Sequence, residues 1–319
     1  MANKNTGLNK AKKNNRDEFY TQLSDIENEL RHYKEHFKGK TVLCNCDDPR
    51  VSNFFKYFAL KFKSLGLKKL IATCYKNQDI DLFSPHDCEQ AVYIVYEGTP
   101  EIDHIPSSDE IEVKYLKGDG DFRSQECIEL LKEADIVCTN PPFSLFVEYM
   151  AQLIKYDKKF LIIGNQNAIK LKDIFPLFAE NKIWLGYGFK RNCAHFYSKY
   201  EDTATDADHR EGMIRVSGVA WFTNLEIQKR HEPIILVDRY SPEIYPKLDT
   251  FDAIESKSTN IPCDYEGNIA VPITYMYKHC PEQFDIIGVL NHGCDSKYDL
   301  AKPVLNGEEI YTRIVIRRK

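Results

Sequence analysis

Apolar residues recur at helical spacing at Ile26, Leu30, Tyr33 and Phe37, which predicts a helix to about His36. Ser24 and Glu27 form a capping box at its start. The apolar run 41–45 predicts a short buried strand. Ser52 is the predicted N-cap of the next helix, which turns Phe55, Phe58, Ala59 and Phe62 inward and stops at Gly66. Further apolar runs predict strands over 69–74, 112–116, 135–138 and 159–163, with a short one over 183–185. Helical spacing falls between them: over about 125–134, after Phe143 with Phe146, Tyr149, Met150 and Leu153 inward, and over about 170–180. The stretch 78–110 is polar except for AVYIVYEG, an excursion strand. A last strand, Gly218–Phe222, follows a long polar loop.

Strands alternating with helices from 41 to 186 predict an α/β fold with a parallel, Rossmann-like sheet and right-handed crossovers. In such a sheet ligands bind where the strand C-termini open. After about residue 226 proline recurs and helical periodicity fades. Three regions follow: a flexible basic arm over 1–17, a catalytic domain over 18–226, and a smaller, irregular region over 227–319.

Composition narrows the class. The chain has 319 residues, 43% hydrophobic and 29% charged, enough to bury a sizeable core. No apolar run is long enough to span a bilayer, and the N-terminus lacks the apolar stretch of a signal peptide. No membrane association is expected. The ten cysteines are scattered without a C-x-x-C pair, and Cys44, Cys74 and Cys138 sit inside apolar runs as small core residues. They predict a reduced, cytoplasmic protein with no metal site.

Net charge is −5, but its distribution matters more. Lys4, Lys10, Lys12, Lys13 and Arg16 stand in a segment with no acid, and Arg313, Arg317, Arg318 and Lys319 stand in another. Basic ends on an acidic body fit either solvated tails or phosphate contacts. Lys10, Lys12, Lys13, Arg16, Arg313, Arg317 and Arg318 are the candidate phosphate ligands.

The most informative motif is Asn140-Pro141-Pro142-Phe143, directly after a predicted strand. It suits chemistry on a planar exocyclic amine, whose lone pair is delocalised into the ring. An Asn oxygen and the next backbone carbonyl can each accept one N–H and draw the nitrogen toward tetrahedral geometry. The prolines fix the backbone, and the aromatic offers a flat face to a base. A plain strand-end turn is the alternative. Gly118-Asp119-Gly120-Asp121-Phe122 ends the preceding strand; its Asp can accept from an adenine amino group and its Phe can cover the ring. Alone it would be an Asp-Gly turn. Asp47-Asp48-Pro49 follows the first strand, where acids can hold an amino group or ribose hydroxyls. That loop lacks G-x-G, so a dinucleotide or P-loop reading fails. Cys263 after Pro262 lies far from any strand end, and His279 and Cys280 are adjacent, so neither makes a convincing rival centre.

These stretches, together with DEFYTQ (17–22), DIENEL (25–30), CNCDDPRVSNFFKYF (44–58), LGLKKLIA (65–72), TNPPFSLF (139–146), IKYDKKFLII (154–163), ENKIWLG (180–186), WFTNL (221–225), VPITY (271–275) and PEQF (281–284), resemble the EcoRI-type adenine-specific DNA methyltransferases over nearly the whole chain. The resemblance implies a class I S-adenosylmethionine-dependent methyltransferase fold with a target-recognition region toward the C-terminus. It places Phe19, Tyr20 and Thr21 at the methionine part of the cofactor. It places Asp47, Asp48 and Pro49 at the first-strand cofactor loop, and Asp121 and Phe122 at the adenine ring. Asn140, Pro141, Pro142 and Phe143 become the catalytic motif, with Phe143 and Phe196 on the faces of the target base. The second strand ends in Cys74-Tyr75, without the expected ribose acid. The resemblance implies methylation of the adenine N6 amino group in a short duplex site, with GAATTC a candidate, by base flipping and direct transfer, without a metal. A monomer in a bacterial or phage setting is expected, and any cognate restriction endonuclease would act separately. Other planar amines (cytosine N4, RNA guanine, protein glutamine) and a catalytically idle DNA-binding protein are the competing readings.

Overall fold

The computed structural model describes residues 20–76, 90–98, 111–189, 193–197, 213–291 and 297–319. The described residues fall into two compact units. The first runs to Asn165 and resumes over Gly188–Leu225; the second is Gln166–Tyr187 with Glu226–Lys319. The segment 166–187, read from sequence as part of the catalytic domain, thus belongs to the second unit.

The first unit opens with strand β1 (Tyr20–Thr21) and helix α1 (Leu23–Leu30). Gln22, not Ser24, takes the N-cap position of α1, so the expected capping box does not form. Ile26, Leu30, Tyr33 and Phe37 are all buried, as their spacing requires. Strand β2 (Thr41–Cys44) is followed by a tight turn and helix α2 (Asn53–Leu60). The Ser52 hydroxyl accepts from Phe55 N–H and caps it. The helix breaks at Lys61 and resumes as α3 (Phe62–Leu65). Strands β3 (Lys69–Thr73), β4 (Val92–Tyr96) and β5 (Val113–Tyr115) follow. Next come α4 (Gln125–Glu133), capped by Ser124, and β6 (Ile136–Thr139). Helix α5 (Phe146–Lys155) leads to β7 (Lys159–Asn165).

Strands β3, β2, β6 and β7 lie side by side and parallel, so the C-termini of β2 and β6 open at one edge. Every residue of β2 and β6 is buried, the mark of a sheet covered on both faces. The excursion strand β4 corrects the expected all-parallel order. It inserts between β3 and β5 and runs antiparallel to both. An odd strand of this kind needs no crossover helix, so the helix–strand alternation does not reveal it.

Helix α6 (Phe175–Ala179) and strand β8 (Trp184–Leu185) lie in the second unit. A 3-10 turn over 166–170 and this short helix replace the longer helix expected over 170–180. Back in the first unit, β9 (Cys193–Tyr197) and β10 (Met213–Ser217) form a ladder with β1, order β1-β9-β10. Strand β11 (Val219–Thr223) joins β7 antiparallel. The WFTNL stretch locks that pairing. Asn224 accepts from Phe160 N–H at 2.9 Å and donates to the Lys158 carbonyl, and Thr223 donates to the Phe160 carbonyl. Trp221 is buried between Phe54, met edge-on at 6.0 Å, and Phe189, stacked at 5.5 Å.

The second unit is more ordered than its prolines predict. Strands β12 (Ile254–Glu255), β13 (Ile269–Pro272), β14 (Phe284–Leu290), β15 (Asp299–Ala301) and, after the hairpin β16 (Val304–Leu305) and β17 (Glu308–Glu309), β18 (Arg313–Arg318) are laid down in turn. Five of them form one sheet in the order β12-β13-β18-β14-β15. Leu248, Ala253, Ala270, Leu290 and Val315 form a core cluster in this unit.

Candidate functional site in the first unit

The candidate site is built where β2 and β6 end. Asn140 follows β6 and is buried, its Oδ1 shielded from solvent. Pro141 is buried beside it, Pro142 and Phe143 are half-buried, and Pro142 holds extended backbone at φ −53, ψ 128. A 3-10 turn, Phe143–Leu145, leads directly into α5. Helix α5 is seated close to β7 by Gly164, where a Cβ would come within 2.4 Å of the Phe146 ring.

The β2 loop meets this corner. The Thr139 hydroxyl donates to the backbone carbonyl of Asn45, and the Tyr149 hydroxyl donates to Asn45 Oδ1. Cys46 takes a φ of 84, the left-handed region that favours glycine.

Asp48 is paired within its own turn. It is buried, and its carboxylate accepts four hydrogen bonds from Arg50 at 2.6–3.1 Å, one from the backbone and three from the guanidinium. Three N–H groups of Arg50 thus meet the Asp48 carboxylate and hold the turn. Pro49 is buried in the same turn. Asp47 is half-buried and accepts from Ser52 Oγ at 3.3 Å.

The Asp121–Phe122 loop is drawn in by Gly120, at φ 80 against the Cys74 carbonyl. Asp121 accepts from Arg123 through Nε at 2.9 Å, Nη2 at 2.6 Å and the backbone N–H at 2.8 Å. The guanidinium holds its carboxyl below the usual range. Phe122 is nearly buried, its ring meeting Tyr149 edge-on at 5.0 Å with the Arg123 guanidinium 5.2 Å from its centroid. Cys74, expected as a plain core residue, is buried but disulfide-bonded.

Thr21 is buried, and its Oγ1 makes no hydrogen bond. Its carbonyl accepts from Asn53 at 2.8 Å, which ties β1 to the start of α2 behind the β2 loop. Phe19 lies outside the described residues, and only the backbone of Tyr20 is described. Phe196 pairs with Thr21 in the β1–β9 ladder and is fully buried, so it presents no face to a base. Its expected stacking role is not supported by this placement.

The basic candidates separate. Lys10, Lys12, Lys13 and Arg16 lie outside the described residues. In the second unit Arg313 is committed to Glu255, with contacts of 2.8–3.0 Å and a side chain 13% exposed. In the described structure it is paired with Glu255 and little presented to solvent. Arg317 and Arg318 are exposed; they donate to Asn268 Oδ1 and to the Cys263 carbonyl. Sequence reasoning missed Asn45, Tyr149, Arg50 and Arg123 as site-building residues. The repeated Asp-x-Arg spacing at 48–50 and 121–123 is the one signal that could have found the last two.

A polar corner at the open ends of parallel strands, with a buried Asn before two prolines and an aromatic, is where such a sheet binds ligands and fits a class I methyltransferase. The comparisons make this specific. The family model for "Adenine-specific methyltransferase EcoRI" matches residues 7–319, and the chain belongs to that family. It is an adenine-specific methyltransferase. It is 49% identical over 320 residues to the Type II methyltransferase M.EcoRI of Escherichia coli, covering 98% of this chain and 96% of that one. It is 33% identical to M.MgeORF184P of Mycoplasma genitalium, covering 98% of each chain. It is 36% identical over 292 residues to M.MpnI of Mycoplasma pneumoniae, covering 89% of this chain and 85% of that one. No solved structure matches the chain. Among the described residues no helix is long and apolar enough to cross a membrane, and no cluster of three or more His, Cys, Asp or Glu could hold a metal ion.

Proposed function

We propose that this enzyme methylates the N6 amino group of adenine in a short duplex DNA site, using S-adenosylmethionine and a target base turned out of the stack. The observation that carries the reading is the burial of Asn140 at the end of β6, beside the β2 loop, with Phe143 half-buried two prolines on. A base must leave the duplex to reach such a corner.

The residues present fit the cofactor. Thr21 supplies a buried hydroxyl without an internal partner, next to the β2 loop. Asp47 and Asp48 are the acids of that loop suited to an ammonium or ribose hydroxyls, Asp47 the more accessible of the two. Asp121 and Phe122 would hold the adenine. When bound, S-adenosylmethionine supplies a methyl group made electrophilic by its sulfonium.

The chain's own residues do the rest. Asn140 Oδ1 and the Pro141 carbonyl accept the two N–H groups of the target amine and draw its lone pair out of the ring. Phe143 stacks on the base and holds the amine in place. Catalysis is positioning plus polarisation in a corner poor in water. The proton leaves late, to water. In this reading the second unit reads the DNA sequence, with Arg317, Arg318 and the arm 1–17 on phosphates. The enzyme works as a monomer in a bacterial cytoplasm, independently of any cognate endonuclease.

Modified-base sequencing of DNA from cells expressing the protein tests the whole reading. N6-methyladenine confined to one short duplex sequence is expected, with GAATTC the first to inspect. Methylation on cytosine N4, on RNA or protein alone, or none at all would overturn it.

A further inference from the structure

The two loops assigned above to the cofactor are held by one side chain. Tyr149 sits on α5, the helix that the Asn140–Phe143 turn feeds into. It is buried, with 1% of its surface exposed. Its hydroxyl donates to Asn45 Oδ1 in the β2 loop, and its ring meets Phe122 edge-on at 5.0 Å. One turn along the same face of α5, Gln152 Nε2 donates to the Phe122 carbonyl at 2.9 Å. Asn45 closes the circuit, since its backbone carbonyl accepts from Thr139, the residue before Asn140.

Core packing does not require this hydroxyl. Phe146, Met150 and Leu153 already bury the apolar face of α5. A tyrosine hydroxyl taken out of water is costly unless it is paired, and the pairing here fixes an Asn side chain that is itself buried. Burial raises the Tyr149 phenol well above its ordinary value, so it stays a hydrogen-bond donor across the physiological range.

We infer that Tyr149 is a positioning residue, which sets the β2 loop and the Phe122 loop in register so that the cofactor's adenosine is received in line with Asn140. The inference rests on the function proposed above. A tyrosine that merely filled the core would affect stability alone. A positioning tyrosine affects cofactor affinity through its hydroxyl.

Calorimetric S-adenosylmethionine binding and steady-state methylation by full-length wild type, Tyr149→Phe, Asn45→Ala and the double variant distinguish these roles. Tyr149→Phe keeps the ring against Phe122 and removes only the donor. It is expected to weaken S-adenosylmethionine binding by about tenfold, as for an unpaired buried acceptor, and to raise the cofactor KM alike. At saturating cofactor, kcat is expected to change less than about twofold, as for a loss of uniform binding. The double variant is expected to bind no more weakly than Tyr149→Phe, because both changes break one interaction. Wild-type affinity in Tyr149→Phe overturns the proposal, even if its melting temperature falls. So does a double variant whose losses multiply. Wild-type protein that does not bind S-adenosylmethionine overturns the proposed function and this inference with it, whereas a binding wild type with an unaffected Tyr149→Phe overturns only the latter.

Discussion

Gly120→Ala probes how the Phe122 loop is pulled against the sheet. Residue 120 has a φ of 80, and an added Cβ would lie 2.2 Å from the Cys74 carbonyl oxygen. Left-handed backbone costs a non-glycine residue about 1–2 kcal/mol. The clash is with backbone, so relief requires the loop to move, at about 1–3 kcal/mol more. The sum, about 2–5 kcal/mol, corresponds to a melting temperature lower by about 5–15 °C. Two other glycines separate the terms. Gly218 has a φ of 70 but open space around its would-be Cβ, so Gly218→Ala carries the strain alone, about 1–2 kcal/mol. Gly118 has ordinary φ, and its nearest atom would be Glu126 Oε2 at 3.7 Å, so Gly118→Ala should be within about 0.5 kcal/mol of wild type. Calorimetric melting and S-adenosylmethionine titration of the three variants are the assays. Gly120→Ala should be least stable and lose cofactor affinity. If it melts with Gly218→Ala and binds cofactor normally, the close approach to Cys74 does not shape the site.

Phe143→Ala removes a base-stacking surface worth about 1–3 kcal/mol, so the fluorescence rise of 2-aminopurine at the target adenine should disappear; an unchanged rise excludes Phe143 from the base pocket. His279 is half-buried beside Tyr275, 3.1 Å from its hydroxyl, and desolvation with the nearby Arg230 and Lys319 cations lowers its pKa to about 4. Its stabilising contribution is full above about pH 6.5 and is lost as pH falls toward 4, so the urea midpoint of wild type should drop over that window more steeply than that of His279→Gln. Equal slopes contradict this. Deleting residues 1–16 should flatten the log–log salt dependence of DNA binding by about 0.9 for each phosphate the arm neutralises, with little change in rate at saturating DNA; superimposable slopes mean the arm is a solvated tail.

The parallel centre of the first unit is legible in the sequence because burial on both faces leaves a plain signature. TVLC and IVCT are unbroken apolar runs, and Phe146, Tyr149, Met150 and Leu153 keep helical spacing. Antiparallel strands are harder to place. VYIVY reads as a strand, but its position between β3 and β5 depends on tertiary pairing. In the second unit, IAVP, FDIIGVL and RIVIRR are ordinary strand sequences hidden by the surrounding prolines. At the candidate site, residue type and position after a strand point to Asn140 and Phe122. Neither can show that Asp48 is paired with Arg50, that Arg313 is paired with Glu255, or that Phe196 is buried. Those depend on partners that only folding brings within reach.

The central claim is that Asn140 acts on the target amine during transfer. Single-turnover methyl transfer from S-adenosylmethionine to a cognate duplex, comparing wild type with Asn140→Ala at saturating cofactor and DNA, measures this directly. Interactions made in the transition state change rate more than affinity. The account predicts a rate about 10²–10³-fold lower in Asn140→Ala, with cofactor and DNA affinities close to wild type. A near-normal rate, or a loss confined to binding, would contradict it.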